Sequence, residues 1–290
     1  MKRGLIVALL LLAGCKRMAP PPAEGGVRLV STAPNLTEIV FAIGAGDLLA
    51  GKTDVCDYPP EAAPIPIVGG FGTPRLEPLL AAHPTHILES ALADPSVRDR
   101  LDALGIPLVH VPCSRLDDIP AAILQIGGLT GREAQAQTLA EKIREGLHSY
   151  GRHDDDTPLP RVFLLFAPES PITAGTDTFV SELLALAGGA NVSGGGGYFR
   201  VSLEWVLARD PDIILCLFDT QGAPPQSLFT SRAGWKDLKA VRGGAVRTVA
   251  DLDTVLRPGP RVLEGLEQMR DCLTPDEKDS MDERSPQRTQ

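Results

Sequence analysis

Two histidines three residues apart are the first side chains in this sequence whose spacing suggests chemistry. On one helix, His83 and His86 would share a face, where two imidazoles could bind a metal ion. Pro84 lies between them, and a proline ends the helix that would align them. We therefore expect both histidines at the surface or at a strand edge, and no metal site.

Two glutamates recur in segments of similar pattern. Glu77 and Glu204 lie in residues 76–88 and 203–215, and a proline follows each glutamate by seven residues. Both segments run from a Leu-Glu pair through an apolar turn to an apolar run, which predicts a short helix that leads into a buried strand. Each carboxylate would lie in the first helical turn, where negative charge suits the helix dipole.

A second pair of segments repeats in the same order. Residues 35–47 resemble residues 178–191, and both have the pattern of a capped amphipathic helix that ends near two glycines. Two matches in one order indicate two related lobes, although two ordinary strand–helix units could resemble each other by chance.

The elements that must position these residues alternate between strands and helices. The predicted strands are 27–31, 49–52, 65–68, 86–88, 108–111, 161–166, 212–217 and 245–249. The predicted helices include 34–43, 76–82, 95–104, 116–129, 132–150, 179–187, 203–208, 235–238 and 259–272. This alternation predicts an α/β fold with mainly parallel sheets covered on both faces. Ligands of such sheets bind at the carboxyl ends of the strands.

Composition and motif content narrow the functional class. The chain of 290 residues has a net charge of −9, whereas a nucleic-acid-binding protein needs a basic face. The sequence contains no Gly-x-Ser-x-Gly, His-Glu-x-x-His or Gly-x-Gly-x-x-Gly motif. We therefore expect no enzyme, no intrinsic cofactor and no nucleic-acid partner.

Residues 1–15 have the layout of a secretory signal, with two basic residues, a short apolar run and small residues before Cys15. This layout resembles a bacterial lipobox, which implies that cleavage leaves a lipidated Cys15 at the new N-terminus. The alternative is an ordinary signal with an incidental cysteine. Residues 16–26 are then a tether, and the charged residues 274–290 a disordered tail.

The predicted folded part contains four cysteines. Cys216 lies in an apolar strand and is expected to be a buried thiol. Cys56 and Cys113 both follow strands of the first lobe, so a bridge between them is conceivable, but the sequence does not fix the pairing.

Five short motifs carry a resemblance to a known family. They are Asp57-Tyr-Pro-Pro60, Gly105-Ile-Pro-Leu-Val109, Arg161-Val-Phe-Leu-Leu-Phe166, Val206-Leu-Ala-Arg-Asp-Pro211 and Arg257-Pro-Gly-Pro-Arg261. Together they resemble the substrate-binding proteins of ABC importers for cobalamin, haem and iron-siderophores, and most closely the periplasmic cobalamin-binding branch. The resemblance implies two Rossmann-like lobes, 27–115 and 160–273, joined by one long rigid helix within 116–153, as in class III periplasmic binding proteins.

The same resemblance implies roles for individual residues. Ligand contacts are implied for Tyr58 and Phe71, which fall at aromatic positions of cobalamin binders. Pro34 and Asn35 join them because they lie at the first strand–helix turn on the cleft side, and Tyr198 could line the opposite wall. Core packing is the alternative for Phe71. In this family one glutamate per lobe meets arginines of the permease, and Glu77 and Glu204 occupy those positions. The alternative is that each is only a favourable helix charge.

The implied function is a periplasmic, lipid-anchored monomer that delivers cobalamin or a related corrinoid to an ABC permease and its ATPase. Positions near Ser90 and Leu252 are not aromatic here, unlike in cobalamin binders, so haem or a ferric siderophore stays open as the ligand. A transition-metal carrier or an α/β enzyme is a more remote alternative.

Overall fold

The protein is described here by a computed structural model that covers residues 26–91, 95–150 and 158–274. The predicted signal peptide, nearly all of the tether and nearly all of the tail lie outside the described residues. Within the described ranges, no helix has both the length and the apolar composition needed to cross a membrane.

A six-stranded sheet forms the first lobe. Its strands are β1 (Leu29–Ser31), β2 (Leu49–Thr53), β3 (Ile67–Gly70), β4 (Thr73–Pro74), β5 (His86–Glu89) and β6 (Leu108–His110). They are ordered β4-β3-β2-β1-β5-β6, and every neighbouring pair is parallel except the β3–β4 hairpin. The helices are α1 (Pro34–Ala42), α2 (Leu76–Ala81) and α3 (Pro95–Ala103), with 3-10 turns at Gly46–Leu48 and Pro60–Ala62.

Two helices follow the first sheet and lead to the second. They are α4 (Asp118–Thr130) and α5 (Glu133–Tyr150), and they pack against each other along their lengths. Gly131 adopts the left-handed conformation, with φ of 67°, that ends α4 and lets the chain turn into α5. The 18 residues of α5 span about 27 Å at 1.5 Å per residue.

The second lobe contains a four-stranded parallel sheet, ordered β12-β11-β7-β9. These strands are β7 (Arg161–Leu165), β9 (Ala190–Asn191), β11 (Ile213–Cys216) and β12 (Val246–Thr248), while β8 (Ile172–Ala174) and β10 (Tyr198–Arg200) form a separate antiparallel pair. The helices are α6 (Phe179–Ala187), α7 (Leu203–Arg209), α8 (Lys239–Arg242), α9 (Leu252–Leu256) and α10 (Val262–Asp271), with 3-10 turns at Pro225–Leu228 and Trp235–Asp237.

The two lobes share one topology. Strands β2-β1-β5-β6 of the first sheet have the same order and direction as β9-β7-β11-β12 of the second. Helices α1 and α6 each follow the first strand of their sheet, and α2 and α7 each precede the equivalent strands β5 and β11. This match supports the predicted pair of related lobes.

The core explains why both sheets need helices on each face. Alternate residues of one strand point to opposite faces, so Val162 and Leu164 join the largest apolar cluster while Phe163 and Leu165 join a second one. The largest cluster contains α1, α6 and the apolar faces of α4 and α5, and it is continuous between the lobes. Separate clusters beneath α2 and α3, and beneath α7 and α8, fill the outer faces.

The structure adds elements that the sequence patterns did not reveal. Strands β4, β8, β9 and β10 have only two or three residues, too few for a recognisable alternation. The predicted helix 259–272 begins only at Val262, because the residues before it form a turn against α1. The four described cysteines are free thiols, so Cys56 and Cys113 are not bridged, and Cys216 is buried as predicted.

Candidate functional site

Two exposed aromatic rings lie at the carboxyl edge of the first sheet. Tyr58 follows β2 and Phe71 lies at the tip of the β3–β4 hairpin, with 42% and 52% of their surfaces exposed. The Gly72 amide donates to the Thr32 carbonyl at 3.5 Å, which ties the hairpin tip to the end of β1. Pro34 begins α1 at the same edge. Phe71 is therefore outside the packed core.

A third exposed ring lies in the second lobe. Tyr198 begins β10 with 58% of its surface exposed, and its ring meets that of Phe166 edge-on, with centroids 5.2 Å apart. Phe166 directly follows β7, so this pair also marks a carboxyl end of a parallel sheet. Partial burial raises the pKa of the Tyr198 hydroxyl.

The segment between α9 and α10 binds the two lobes together. The Pro258 carbonyl accepts hydrogen bonds from the Asn35 side-chain amide at 3.1 Å and from the Cys113 thiol at 3.0 Å. Burial raises the pKa of that thiol to about 12. Asn35 is buried, so the structure places this predicted ligand residue in a contact between lobes. Its part in ligand binding stays a prediction.

One helical turn beyond Asn35, Glu38 receives an arginine from the second lobe. The Nε and Nη2 atoms of Arg261 each donate to a Glu38 oxygen at 2.9 Å, a two-pronged geometry that suits a guanidinium and a carboxylate. The Nη1 atom donates to Asp251 at 2.8 Å. The hydrogen bond to Glu38 raises the pKa of Arg261. The side chains of Glu38 and Arg261 are only 2% and 10% exposed.

A second arginine extends this network toward solvent. Arg257 donates to Asp57 at 2.7 Å, pairs with Asp253 at 2.8 Å and reaches Glu38 at 3.4 Å. The hydrogen bond from Arg257 lowers the pKa of Asp57. Burial raises the pKa of Asp253, and the neighbouring Asp57 and Asp251 charges add to this rise.

The network therefore holds more acids than bases. Four carboxyl groups face two guanidinium groups, and the Lys52 ammonium, which donates to the Cys56 carbonyl, also helps to lower the pKa of Asp57. The four acids are Glu38, Asp57, Asp251 and Asp253. We name this set of side chains, with Arg257 and Arg261, the cross-lobe network.

The cross-lobe network also touches the predicted ligand site. The Arg261 guanidinium carbon lies 3.9 Å from the centre of the Tyr58 ring, within range for a cation–π contact. Tyr58 belongs to the first lobe and Arg261 to the second, so this contact joins the two carboxyl edges.

The two predicted docking glutamates are exposed at equivalent places. Glu77 lies in the first turn of α2 and Glu204 in the first turn of α7. Each of these helices follows a short antiparallel strand and leads to an inner strand of its sheet. Hydrogen bonds from its own backbone amide and from Ser202 lower the pKa of Glu204, so this carboxylate stays charged.

Sequence reasoning missed the cross-lobe network. The motif from Arg257 to Arg261 contributed to the family resemblance, but its partners were not recognised. One signal was present, because Glu38 lies within the apolar helix α1, and a buried carboxylate requires a cationic or hydrogen-bonding partner.

Other surfaces of the described residues do not add to this site. Within the described ranges, His, Cys, Asp and Glu nowhere form a group of three that could hold a metal ion. A groove between α4, α5 and α6 is lined in part by Leu116, Pro120, Leu147 and Leu186, and it contains none of the predicted ligand residues.

Comparisons with known proteins place these features in context. Residues 29–251 match the family model described as periplasmic binding protein. The vitamin B12-binding protein of Pectobacterium carotovorum subsp. carotovorum is 30% identical over 253 residues, which cover 85% of this chain and 88% of that protein.

Two solved structures show the same architecture. The periplasmic vitamin B12-binding protein BtuF of Vibrio cholerae aligns with a TM-score of 0.73 and 26% identity, covering 89% of this chain and 98% of that one. The periplasmic heme-binding protein RhuT from Roseiflexus sp. RS-1 aligns with a TM-score of 0.75 and 26% identity, covering 86% and 100%. These alignments confirm the predicted two-lobed α/β fold.

Proposed function

This chain belongs to the periplasmic binding protein family, and we propose that it is the substrate-binding component of an ABC importer for cobalamin or a related corrinoid. The ligand would lie between the lobes, and a membrane permease with its ATPase would receive it. The 30% identity to a vitamin B12-binding protein supports this ligand class.

The observation that carries the proposal is the set of exposed rings at the carboxyl edges of the two lobes' sheets. Tyr58 and Phe71 of the first lobe and Tyr198 of the second are solvent-accessible, although large apolar side chains usually pack inside. Aromatic faces suit a large planar macrocycle, and each stacked ring contributes roughly 0.5–1.5 kcal/mol beyond burial.

Exposed carboxylates near Tyr58 suit the edge of a corrinoid. Asp57 directly precedes Tyr58 and is largely exposed. The amide groups at the edge of a cobalamin corrin can donate hydrogen bonds to such carboxylate oxygens.

Titration of the purified protein with cyanocobalamin, haemin and a ferric siderophore tests the ligand. We expect saturable binding of cyanocobalamin, and at least tenfold weaker binding when Tyr58→Ala removes a ring at the site. Tyr150→Ala is a matched control, because Tyr150 also contacts an arginine, Arg270, but lies on α5. No binding of cyanocobalamin by the wild-type protein would overturn the ligand assignment.

Haem is the second candidate, supported by the similarity to the heme-binding RhuT. The Tyr198 hydroxyl could then ligate the iron as a tyrosinate. Its raised pKa opposes this role, since the neutral phenol becomes more stable relative to the phenolate. If haem is the ligand, Tyr198→Phe should change the visible spectrum of the haemin complex, and an unchanged spectrum would remove Tyr198 as the ligand.

Glu77 and Glu204 are proposed to dock on arginines of the permease. Both are exposed first-turn glutamates at equivalent positions of the two lobes. The double variant Glu77→Lys/Glu204→Lys should abolish ligand uptake in cells while ligand affinity stays unchanged. Glu133→Lys is the matched control, because Glu133 is an exposed first-turn glutamate of α5. Uptake at the wild-type rate by the double variant would contradict docking.

The lipid anchor is a separate part of the proposal. Cys15 would carry the lipid and hold a monomeric protein at the periplasmic side of a membrane. Cys15→Ser should release the protein from the membrane fraction, and incorporation of labelled fatty acid should be lost. Equal labelling of the variant would contradict lipidation at Cys15.

A further inference from the structure

Hydrogen bonds fix the guanidinium group of Arg261, and one flat face of that group contacts Tyr58 of the proposed ligand site. Its three guanidinium nitrogens donate to Glu38 and Asp251 at 2.8–2.9 Å. All of these bonds lie in the plane of the guanidinium, so the flat faces stay available for stacking. The Tyr58 ring lies 3.9 Å from the guanidinium carbon.

Apart from this contact, the Tyr58 side chain is partly exposed. It lies in the loop after β2, 42% of its surface is exposed, and it is flanked by Asp57, which Arg257 holds from the second lobe. A ring that must be ordered when the ligand binds loses rotamer entropy at that step, which weakens binding.

We propose that Arg261 is a positioning residue for ligand binding, which orients Tyr58 by covering one face of its ring and leaving the other face for the ligand. This inference rests on the proposed ligand site between the lobes. Glu38 acts through Arg261, since its carboxylate fixes the guanidinium beneath the ring.

An arginine is required at this position for a geometric reason. A lysine ammonium could satisfy one or two of the three carboxylate contacts, but it has no flat face to place under the ring. Arg257 is the matched control, because it also contacts Glu38 and two aspartates. Among the described residues, however, Arg257 makes no cation–π contact with an aromatic ring.

Fluorine NMR of the mature protein labelled with 3-fluorotyrosine tests the positioning without a ligand. The chain has three tyrosines, and Tyr58→Phe assigns the Tyr58 resonance. Arg261→Lys should shift or broaden that resonance, while Arg257→Lys should change it less and the Tyr150 resonance should stay in place. A Tyr58 resonance that does not respond to Arg261→Lys would overturn the proposal.

A double-mutant cycle tests the consequence for binding. Arg261→Lys should weaken cyanocobalamin binding about fivefold, within the range of one cation–π contact. In the Tyr58→Ala background the same change should alter the Kd less than twofold, because the ring through which Arg261 acts is gone. Equal losses in both backgrounds would mean that Arg261 does not act through Tyr58.

Two further measures keep the outcomes distinct. If Arg261→Lys does not fold, Asp251→Asn loosens the same guanidinium at its half-exposed partner and should give a smaller change of the same sign. If the wild-type protein binds no cyanocobalamin, the proposed ligand fails, while the fluorine spectrum still decides whether Arg261 orients Tyr58.

Discussion

Two equivalent glutamates, Glu38 in the first lobe and Glu182 in the second, join the lobes in different ways. Helices α1 and α6 follow the first strand of their sheets, and each ends at a glycine with positive φ, 74° at Gly44 and 96° at Gly188. In each helix the glutamate lies six residues before that glycine. One carboxylate therefore lies at the same point of each lobe.

Each glutamate reaches the chain that follows the other lobe's last strand. Glu38 meets the turn after α9, whereas Glu182 accepts from the Leu116 amide at 2.9 Å and forms an ion pair with Arg115. The environments differ, because the Glu182 and Arg115 side chains are 18% and 58% exposed while Glu38 and Arg261 are almost fully buried.

Equivalent backbone positions therefore make contacts in two different surroundings. The Glu182 contact lies where α4 begins, next to helices that already connect the lobes through the shared core. The Glu38 contact lies beside Tyr58, where it becomes part of the proposed ligand site. Because the Glu38 contact is buried, breaking it should lower the free energy of unfolding more than breaking the Glu182 contact.

The largest effect should come from Glu38→Ala. Removal of one partner of a buried ion pair leaves the other charge without compensation, which typically costs about 3–5 kcal/mol of the free energy of unfolding. Urea denaturation of the wild-type and variant proteins measures this loss. A loss below about 1 kcal/mol would show that solvent or Asp251 compensates the charge of Arg261. Burial would then not explain a difference between the Glu38 and Glu182 contacts.

Glu182→Ala should cost less, about 1.5 kcal/mol, because it removes one charged hydrogen bond to a backbone amide and an exposed ion pair. The same urea denaturation applies. Equal losses for Glu182→Ala and Glu38→Ala would break the comparison and indicate that both contacts are equally desolvated.

The helix ends should respond alike. Gly44→Ala and Gly188→Ala each force a side chain into the left-handed region, at about 1 kcal/mol each. Thermal unfolding should give similar decreases in Tm for both variants. The different stability effects of Glu38 and Glu182 would then come from their binding partners. Very different decreases in Tm would show that the two helices themselves differ in stability.

The smallest effect should appear in the pH dependence of Asp57→Asn. The hydrogen bond from Arg257 lowers the pKa of Asp57 below its ordinary value of 3.8, so the ionised form stabilises the fold. This contribution is fully present above pH 3.8 and is lost as the pH falls through the lower folded pKa. The difference between wild type and variant in the free energy of unfolding should therefore shrink on acidification, and a difference that grows would contradict the assignment.

Much of the fold could be predicted from local patterns. The helix 179–187 was predicted with the bounds that α6 has, and the parallel strands 86–88 and 212–217 overlap β5 and β11. Apolar spacing over eight or more residues with a cap at the start is sufficient for the helix, and an apolar run that follows a proline is sufficient for the two strands. The short antiparallel strands were not predicted, because two or three residues are too few to show an alternation of apolar and polar side chains.

The candidate site was also predicted only in part. Tyr58, Phe71 and Tyr198 were selected by resemblance, and the structure shows each of them exposed at a carboxyl edge. Asn35 is predicted as a ligand residue because it lies at the first strand–helix turn, but its amide donates to the Pro258 carbonyl. A side chain's partner depends on the packing of the second lobe, which no local pattern encodes.

The sequence by itself determined the repeat, the alternation of strands and helices, and therefore two α/β lobes, because these features depend on residues close together in the chain. Only the tertiary structure decided that Glu38 meets Arg261, 223 residues away, and that Arg261 covers Tyr58. Such contacts form only when the two lobes pack against each other. A carboxylate that is buried there must pair with a nearby cation, because an unpaired buried charge is strongly destabilising.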